Sequence, residues 1–278
     1  MSILTETRPE VVRTAAPAYK VTGARVVRSE WYKQWSLRST WITLGLALLF
    51  LLAFGAIAAL RYRSMSSAGQ VDPDFAGSTA YSLALFGTTF ATIALGVLGV
   101  LTTAGEYTTG MIRSTLAAVP RRLPVLWSKA AVYGVIAFVA GTLGALGAFL
   151  ISSAVLSGTD KAMGLSAGGV LTGLLGAGAY LALAGVIGVA LGALLRSTAG
   201  GISAFVGLFL LVPGLMSLLP KSWRTDITPY LPSNAGESIF ALHHVSGTLT
   251  AGAGLLVLLG WTVLALAGAA IRLLRTDA

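Results

Sequence analysis

Six long apolar runs restrict the fold of this chain more than any other feature. They lie near residues 41–60, 81–104, 125–156, 169–195, 200–219 and 251–271. Each reaches the roughly 18–20 residues that a helix needs to cross a hydrocarbon core of about 30 Å. The runs are continuous rather than alternating in polarity, which predicts helices and not the strands of an outer-membrane barrel. Only 10% of the residues are charged, so the sequence predicts an all-α integral membrane protein with six transmembrane helices.

The runs predict a single transmembrane domain, residues 21–278, behind an N-terminal tail. Residues 1–20 contain no apolar segment of the kind found in a cleavable signal peptide, and we expect this tail to be mobile and cytoplasmic. The chain has no cysteine, which excludes disulfides and thiolate metal sites.

The positions of Lys and Arg predict the orientation, because cytoplasmic loops retain positive charge. A six-span arrangement puts 14 of the 19 cations on the side that holds both termini, and five of the ten acids on the other side. Both termini, and the loop between the second and third spans, are therefore predicted to be cytoplasmic. The net charge of +9 is spread beside the spans, so we expect the lipid bilayer, and no nucleic acid, as its partner.

No Asp, Glu, Lys or Arg lies near the centre of any run. Transporters driven by ion gradients usually need such groups inside the membrane. If the protein moves a cargo, we expect energy to enter through a cytoplasmic surface. A GxxxG pair, Gly188 and Gly192, permits close helix contact, either within the chain or at a dimer seam.

Two short motifs suggest enzyme sites, and both are incomplete. Gly105–Gly110 has the spacing of a phosphate loop, but Met111 and Ile112 follow where Lys and Ser or Thr are required. Any ATPase must therefore be another polypeptide. Ser166 lies in a GxSxG sequence, and His243 and His244 are the only histidines. A rhomboid-like intramembrane serine protease is thus one alternative function, and a non-transporting membrane scaffold is another.

The segment before the first run predicts an amphipathic helix at the cytoplasmic interface. Four residues at helical spacing share one face: Ala24, Val27, Trp31 and Trp35. Three charged residues lie away from that face: Arg25, Glu30 and Lys33. The alternative is a simple extension of the first span.

The loop between the second and third runs predicts a short helix between two turns. Gly105–Tyr107 is expected to turn the chain, a helix is expected from Thr108, and Pro120 should end it. Arg121 and Arg122 would then face lipid headgroups or a partner. A short helix held between two long ones can act as a rigid lever.

Three segments together resemble the type-2 ABC exporter permeases of bacteria. They are RSEWYKQWSLRSTW, GEYTTGMIRSTLAAVPRR followed by Lys129, and PYLPSNAGESI, and the resemblance covers most of the chain from about Arg25. It implies a six-helix permease subunit in the bacterial plasma membrane. A cytoplasmic coupling helix between spans two and three would dock on a separate nucleotide-binding subunit, which binds ATP and Mg. The complex would hold two permeases, identical or different, and two ATPases.

The resemblance also assigns roles to particular segments and residues. Val27, Trp31 and Trp35 belong to an interfacial connecting helix, and 229–240 becomes an external segment that often dips back into the membrane. The implied contact surface for the ATPase is Glu106, Tyr107, Thr109, Gly110, Met111 and Arg113. Glu106 is the only acid of this loop, so it is expected either to bind a partner arginine or to form a local cap or pair with Arg113. No catalytic, cofactor or metal site is expected in this chain, and the apolar spans only weakly favour an amphipathic or lipid-like cargo.

Overall fold

Helices make up the regular structure of the protein. The computed structural model describes residues 22–275 apart from 70–71, 73–74, 76, 120–121 and 217, and within this part of the chain there is no strand. The predicted tail, residues 1–20, lies outside the described residues. Six helical segments are long and apolar enough to cross a membrane: Arg38–Ser67, Ala80–Thr108, Leu123–Val155, Val170–Leu195, Thr198–Met216 and Ala251–Arg275. The prediction of six such helices is confirmed.

Two helices separated by a single residue begin the described chain. Helix α1 spans Gly23–Ser36 and α2 spans Arg38–Ser67, and Leu37 between them is extended, with φ −87° and ψ 123°. The indole N–H of Trp41 donates to the carbonyl of Trp35 across this break at 3.1 Å. Helix α1 is therefore a separate element rather than a continuous extension of the first span.

The second span begins with a short helix and runs further than the sequence suggested. Helix α3 (Ala80–Ala84) starts at a capping box formed by Thr79 and Ser82, and a 3₁₀ turn leads into α4 (Thr88–Thr108). The predicted turn at Gly105–Tyr107 is wrong, because α4 continues through it. The chain turns at Gly110, whose φ of 73° is readily adopted only by glycine. Helix α5 (Met111–Ala118) follows.

The third and fourth spans build the centre of the bundle. Helix α6 spans Leu123–Val155 and α7 spans Val170–Leu195, and α7 packs against α4 as well as α6. A Cβ atom added to Gly188 would lie 2.3 Å from the carbonyl oxygen of Gly96, so the two backbones touch directly. The Gly188–Gly192 seam thus lies inside this chain, between α7 and α4.

The fifth span is irregular. It consists of α8 (Thr198–Val206), a π-helical segment (Gly207–Leu211) and α9 (Val212–Met216). Pro213 has no N–H to donate, and in a regular α-helix its ring would clash with the carbonyl of Phe209. The wider π turn before Pro213 relieves this conflict.

The remaining helices carry the chain to its end. Helix α10 spans Lys221–Ile227, α11 spans Pro232–Phe240 and α12 spans Ala251–Arg275. Helix α11 packs against α7 and α12.

Helix α7 extends between the end of the bundle that carries α5 and the end that carries α11. At its last residues the guanidinium of Arg196 lies 5.1 Å from the ring centre of Tyr107, just before α5. Near its start the carbonyl of Phe240, at the end of α11, lies beside Gly173 and accepts a hydrogen bond from Tyr81. With a rise of 1.5 Å per residue, these two points are about 35 Å apart along α7. Helices α5 and α11 therefore lie at opposite ends.

Candidate functional site

Four charged side chains from three helices meet inside the bundle next to α5. They are Glu30 and Lys33 of α1, Glu106 of α4 and Lys129 of α6, and we call them the charge cluster. The ammonium of Lys129 lies 2.7 Å from Oε2 of Glu30 and 2.8 Å from Oε1 of Glu106. The ammonium of Lys33 lies 2.8 Å from Oε1 of Glu30 and 2.7 Å from Oε1 of Glu106. Each ammonium thus bridges both carboxylates.

The charge cluster is shielded from solvent. Glu30 and Lys129 are each 2% exposed, Glu106 is 4% exposed, and Lys33 is 19% exposed. Moving a charge out of water costs several kcal/mol unless a counter-charge and hydrogen bonds compensate it. Two positive and two negative groups satisfy that condition together. The cluster therefore ties α1, α4 and α6 to one another.

The pKa values of the two α1 residues reflect this pairing. Burial alone would raise the pKa of Glu30, but Lys129 and Lys33 outweigh it and hold the pKa below its ordinary value. Burial alone would lower the pKa of Lys33, but hydrogen bonds and attraction from Glu106 and Glu30 raise it above its ordinary value. Both groups are therefore charged at neutral pH.

One carboxylate oxygen in the charge cluster accepts no hydrogen bond from a described residue. Oxygen Oε1 of Glu106 accepts from both lysines, while Oε2 is buried and has no hydrogen-bond partner among the described residues. A buried oxygen without a partner is unfavourable by about 1–3 kcal/mol. Among the described residues, Oε2 of Glu106 is thus the carboxylate oxygen of the charge cluster that still lacks a hydrogen bond.

The sequence of α1 explains how its two charges enter the bundle. Val26, Glu30 and Gln34 recur every four residues and form the buried stripe of the helix. Lys33 follows Glu30 by three residues, so its side chain lies next to that of Glu30 at the edge of the same stripe. Helix α1 packs mainly against α6, which carries Lys129. The polar face of α1 therefore points inward.

The predicted interfacial residues lie on the other side of α1. Val27 is 42% exposed and Trp31 is 40% exposed, whereas Trp35 is half-buried against Trp41. Trp31, Trp35 and Trp41 border an open groove of about 400 Å³ between α1, α2 and α6. The position of this face at the membrane interface stays a prediction.

The residues predicted to contact an ATPase have different surroundings. Thr109, Gly110 and Met111 are exposed at the turn into α5. Tyr107 is half-buried beneath Arg196, and the side chain of Arg113 lies outside what the structure describes. Pro120 and Arg121 lie outside the described residues too.

Two other predicted positions are occupied within the chain. Glu106 is held in the charge cluster, where Lys33 and Lys129 both bind its carboxylate. Arg122 donates to the carbonyl of Leu273 at 3.2 Å, which brings the end of α12 to the same end of the bundle.

Sequence reasoning missed Lys129 and Lys33 as partners of Glu106. The available signal was the position of Lys129 in the first turns of an apolar run, where a buried charge needs a partner. The partner could not be identified from the sequence, because Glu106 lies 76 positions after Glu30 and 23 positions before Lys129. Only the packing of α1 and α4 on α6 brings them together.

The possible protease residues do not form a site in this structure. Ser166, His243 and His244 are all exposed in loops. Within the described chain, the hydroxyl of Ser166 makes no hydrogen bond to either histidine. A nucleophilic serine requires a base within hydrogen-bond reach, so the geometry offers no support for this alternative.

Comparison with known proteins gives no assignment. No protein-family model matches the chain, and no curated protein matches it. The function must therefore be argued from the residues and their geometry.

Proposed function

We propose that this chain is the transmembrane permease subunit of an ATP-driven ABC exporter. In this proposal it forms the translocation pathway and is coupled through α5 to a separate nucleotide-binding subunit. The observation that carries the proposal is the charge cluster directly before α5. Glu106 precedes Met111, the first residue of α5, by only five positions and is bound to α1 and α6 through Lys33 and Lys129.

This connection provides a physical route for force. Helix α5 has eight residues and is therefore about 12 Å long. A displacement of α5 pulls on the end of α4 and, through Glu106, on two further helices. In this proposal, Oε2 of Glu106, which has no partner among the described residues, is a second acceptor to which a lysine moves when α5 is displaced. Glu106 in this proposal transmits movement, while Thr109, Gly110 and Met111 contact the ATPase.

The proposal includes a set of partners and a location. The nucleotide-binding subunit supplies ATP and Mg, and a second permease, identical or different, completes the pathway. Exposed apolar side chains on the fifth and sixth spans, such as Leu211, Leu215 and Val263, would contact lipid or the second permease. The protein would lie in the bacterial plasma membrane with both termini in the cytoplasm.

The proposal is tested by purifying the tagged chain from its native membranes in a mild detergent. We expect ATP hydrolysis to co-purify with it, and we expect a photoreactive ATP analogue to label a second polypeptide. The chain expressed alone should neither hydrolyse ATP nor take up the label. Purification of the functional protein without any ATP-binding polypeptide would reject the exporter.

The protease alternative has its own control. The Ser166→Ala variant should retain every function of the wild-type chain. Loss of a membrane proteolytic activity in this variant would favour the protease instead.

A further inference from the structure

A polar cavity lies at the end of the bundle opposite α5. It has a volume of about 440 Å³ and is formed by α10, α11 and the loop before α12. Its polar lining includes Arg224, Thr228, Asn234, Glu237 and Ser238. Pro229 and Val245 contribute apolar surface. The cavity is therefore amphipathic and large enough for a small organic molecule.

Glu237 is the distinctive group of this cavity. It also lines an adjoining cavity of about 360 Å³, so its side chain lies between two openings. It forms no ion pair or hydrogen bond with any described residue. Glu237 is exposed at the mouth of the cavity, but the neighbouring protein displaces part of its hydration and thereby raises the pKa of its carboxyl group. A carboxylate in these surroundings gains more from a bound cation than one in open water.

A second polar group of the cavity also lacks a partner. The hydroxyl oxygen of Thr228 is buried and has no hydrogen-bond partner among the described residues. Buried polar groups are nearly always satisfied. An occupant whose charge lies against Glu237 would satisfy this hydroxyl once a small shift of the Thr228 side chain turns it toward the cavity.

We infer that this cavity binds an organic monocation with an apolar body. Its positive charge lies against Glu237, its polar substituents contact Thr228 and Asn234, and its apolar body packs on Pro229 and Val245. Arg224 also lines the cavity and repels positive charge, which disfavours a dication more than a monocation. The inference does not rest on the proposed transport function, because binding is measured on the purified chain without an ATPase.

The probe is ethidium, a planar organic monocation whose fluorescence rises when it is bound. Titration into the purified protein in a neutral detergent gives its Kd for the wild type and for each variant. Glu237→Gln should raise the Kd at least tenfold. The matched control is Asp160→Asn, which removes an exposed carboxylate from the loop between α6 and α7 at the same end, and it should leave the Kd within twofold.

Two further measurements separate the cation from other ligands. Uncharged phenanthridine should bind equally to the wild type and to Glu237→Gln. Arg224→Gln should leave the Kd for ethidium unchanged or lower it. Loss of binding in Arg224→Gln would overturn the inference in favour of an anionic or zwitterionic ligand. An unchanged Kd in Glu237→Gln, or an equal effect of Asp160→Asn, would overturn it outright.

Folding of the variants is checked by thermal unfolding. Glu237→Gln should be about as stable as the wild type, because Glu237 is exposed and makes no ion pair or hydrogen bond with a described residue. If Glu237→Gln nevertheless fails to fold, Thr228→Val is tested instead. Valine has nearly the same size as threonine but lacks the hydroxyl that has no partner. Thr228→Val should bind ethidium severalfold more weakly, and an unchanged Kd would count against the cavity.

Discussion

Lys129 is the residue on which the charge cluster most depends. It is fully buried, and it bridges carboxylates that belong to two other helices. Lys33 can make similar bonds but remains partly exposed. The two lysines therefore differ in how much their removal should destabilise the protein.

Replacement of Lys129 by Met should lower the free energy of unfolding by about 3–5 kcal/mol, since it leaves a buried carboxylate without compensation. The double variant Lys129→Met/Glu30→Gln should recover part of this loss, because Lys33 and Glu106 remain as a neutral pair at 2.7 Å. The matched control is Lys161→Met, whose ion pair with Asp160 lies at the surface and should contribute less than about 1 kcal/mol. Chemical unfolding in detergent measures all three. Equal effects of Lys129→Met and Lys161→Met would contradict the cluster.

The pKa shifts of Glu30 and Lys33 predict where stability depends on pH. The lowered pKa of Glu30 stabilises the fold above the ordinary glutamate pKa, and this contribution is lost as pH falls through the lower, folded value. The raised pKa of Lys33 stabilises the fold below the ordinary lysine pKa, and this contribution is lost as pH rises through the higher, folded value. Stability from these two groups should therefore be flat between about pH 5 and 10.

Unfolding measured from well below pH 5 to above pH 10 checks the pH prediction. Glu30→Gln should remove part of the acid-side loss and leave the alkaline side in place. If the stability of the wild type instead changed with a midpoint near neutral pH, and this change were absent from Glu30→Gln, the result would be inconsistent with the lowered pKa of Glu30.

At the scale of elements, the junction between α4 and α5 depends on Gly110. Gly110→Pro imposes a φ near −65° where the chain needs 73°. It also removes the hydrogen bond from the Gly110 N–H to the carbonyl of Tyr107. We expect α5 to be displaced and ATPase binding to be lost, while the protein still inserts into the membrane.

Alanine variants isolate the backbone effect at this junction. No atom lies within 4 Å of a Cβ added at Gly110 or at Gly105, so neither substitution meets a steric obstacle. Gly110→Ala should cost about 1–2 kcal/mol, because its φ is positive. Gly105→Ala, within regular α4 helix, should be neutral or stabilising by up to about 1 kcal/mol. Similar stabilities for the two variants would show that Gly110 does not need its left-handed conformation.

The contact between α7 and α4 gives another prediction at this scale. Gly188→Ala inserts a methyl group 2.3 Å from the carbonyl oxygen of Gly96 and should destabilise the bundle by about 1–3 kcal/mol. Gly260→Ala on α12 meets no atom within 4 Å and serves as the control. Thermal unfolding should separate the two variants. If Gly188→Ala were as stable as Gly260→Ala, Gly188 would not lie in the close contact between α7 and α4.

The sequence predicted helices better than it predicted where they end. The apolar runs identified all six long helices, because hydrophobic length is a local property. The end of α4 was placed too early, since Gly105 and Glu106 were interpreted as the start of a turn. In the structure Gly105 accepts a helical hydrogen bond from the N–H of Thr109, and Glu106 is anchored by Lys129. Contacts with distant helices therefore extend α4 beyond its apolar residues.

At the scale of the whole molecule, the candidate site depends on tertiary packing. Glu106 was predicted from its loop to contact an ATPase, and this stays a prediction, but its burial and its two lysine partners follow from the arrangement of α1, α4 and α6. The exposed set, Thr109, Gly110 and Met111, follows from local turn geometry. Sequence reasoning could therefore identify the segment but not the cluster behind it.

The two candidate sites lie at opposite ends of the helix bundle. The charge cluster and α5 lie at one end of α7, and the cavity around Glu237 lies at the other. In the proposed exporter the first end receives energy from the ATPase. The bundle between them contains the directly packed backbones of α4 and α7, through which a movement of α4 would reach the opposite end.

Site-specific crosslinking tests the central proposal most directly. The chain has no cysteine, so Thr109→Cys and Ser66→Cys each introduce one exposed thiol, at opposite ends of the bundle. Each variant is modified in native membranes with a benzophenone maleimide and irradiated, and the ATP-binding polypeptide is followed by its photoreactive ATP label. We predict an adduct with that polypeptide from Thr109→Cys and none from Ser66→Cys. An adduct from Ser66→Cys alone would contradict docking through α5.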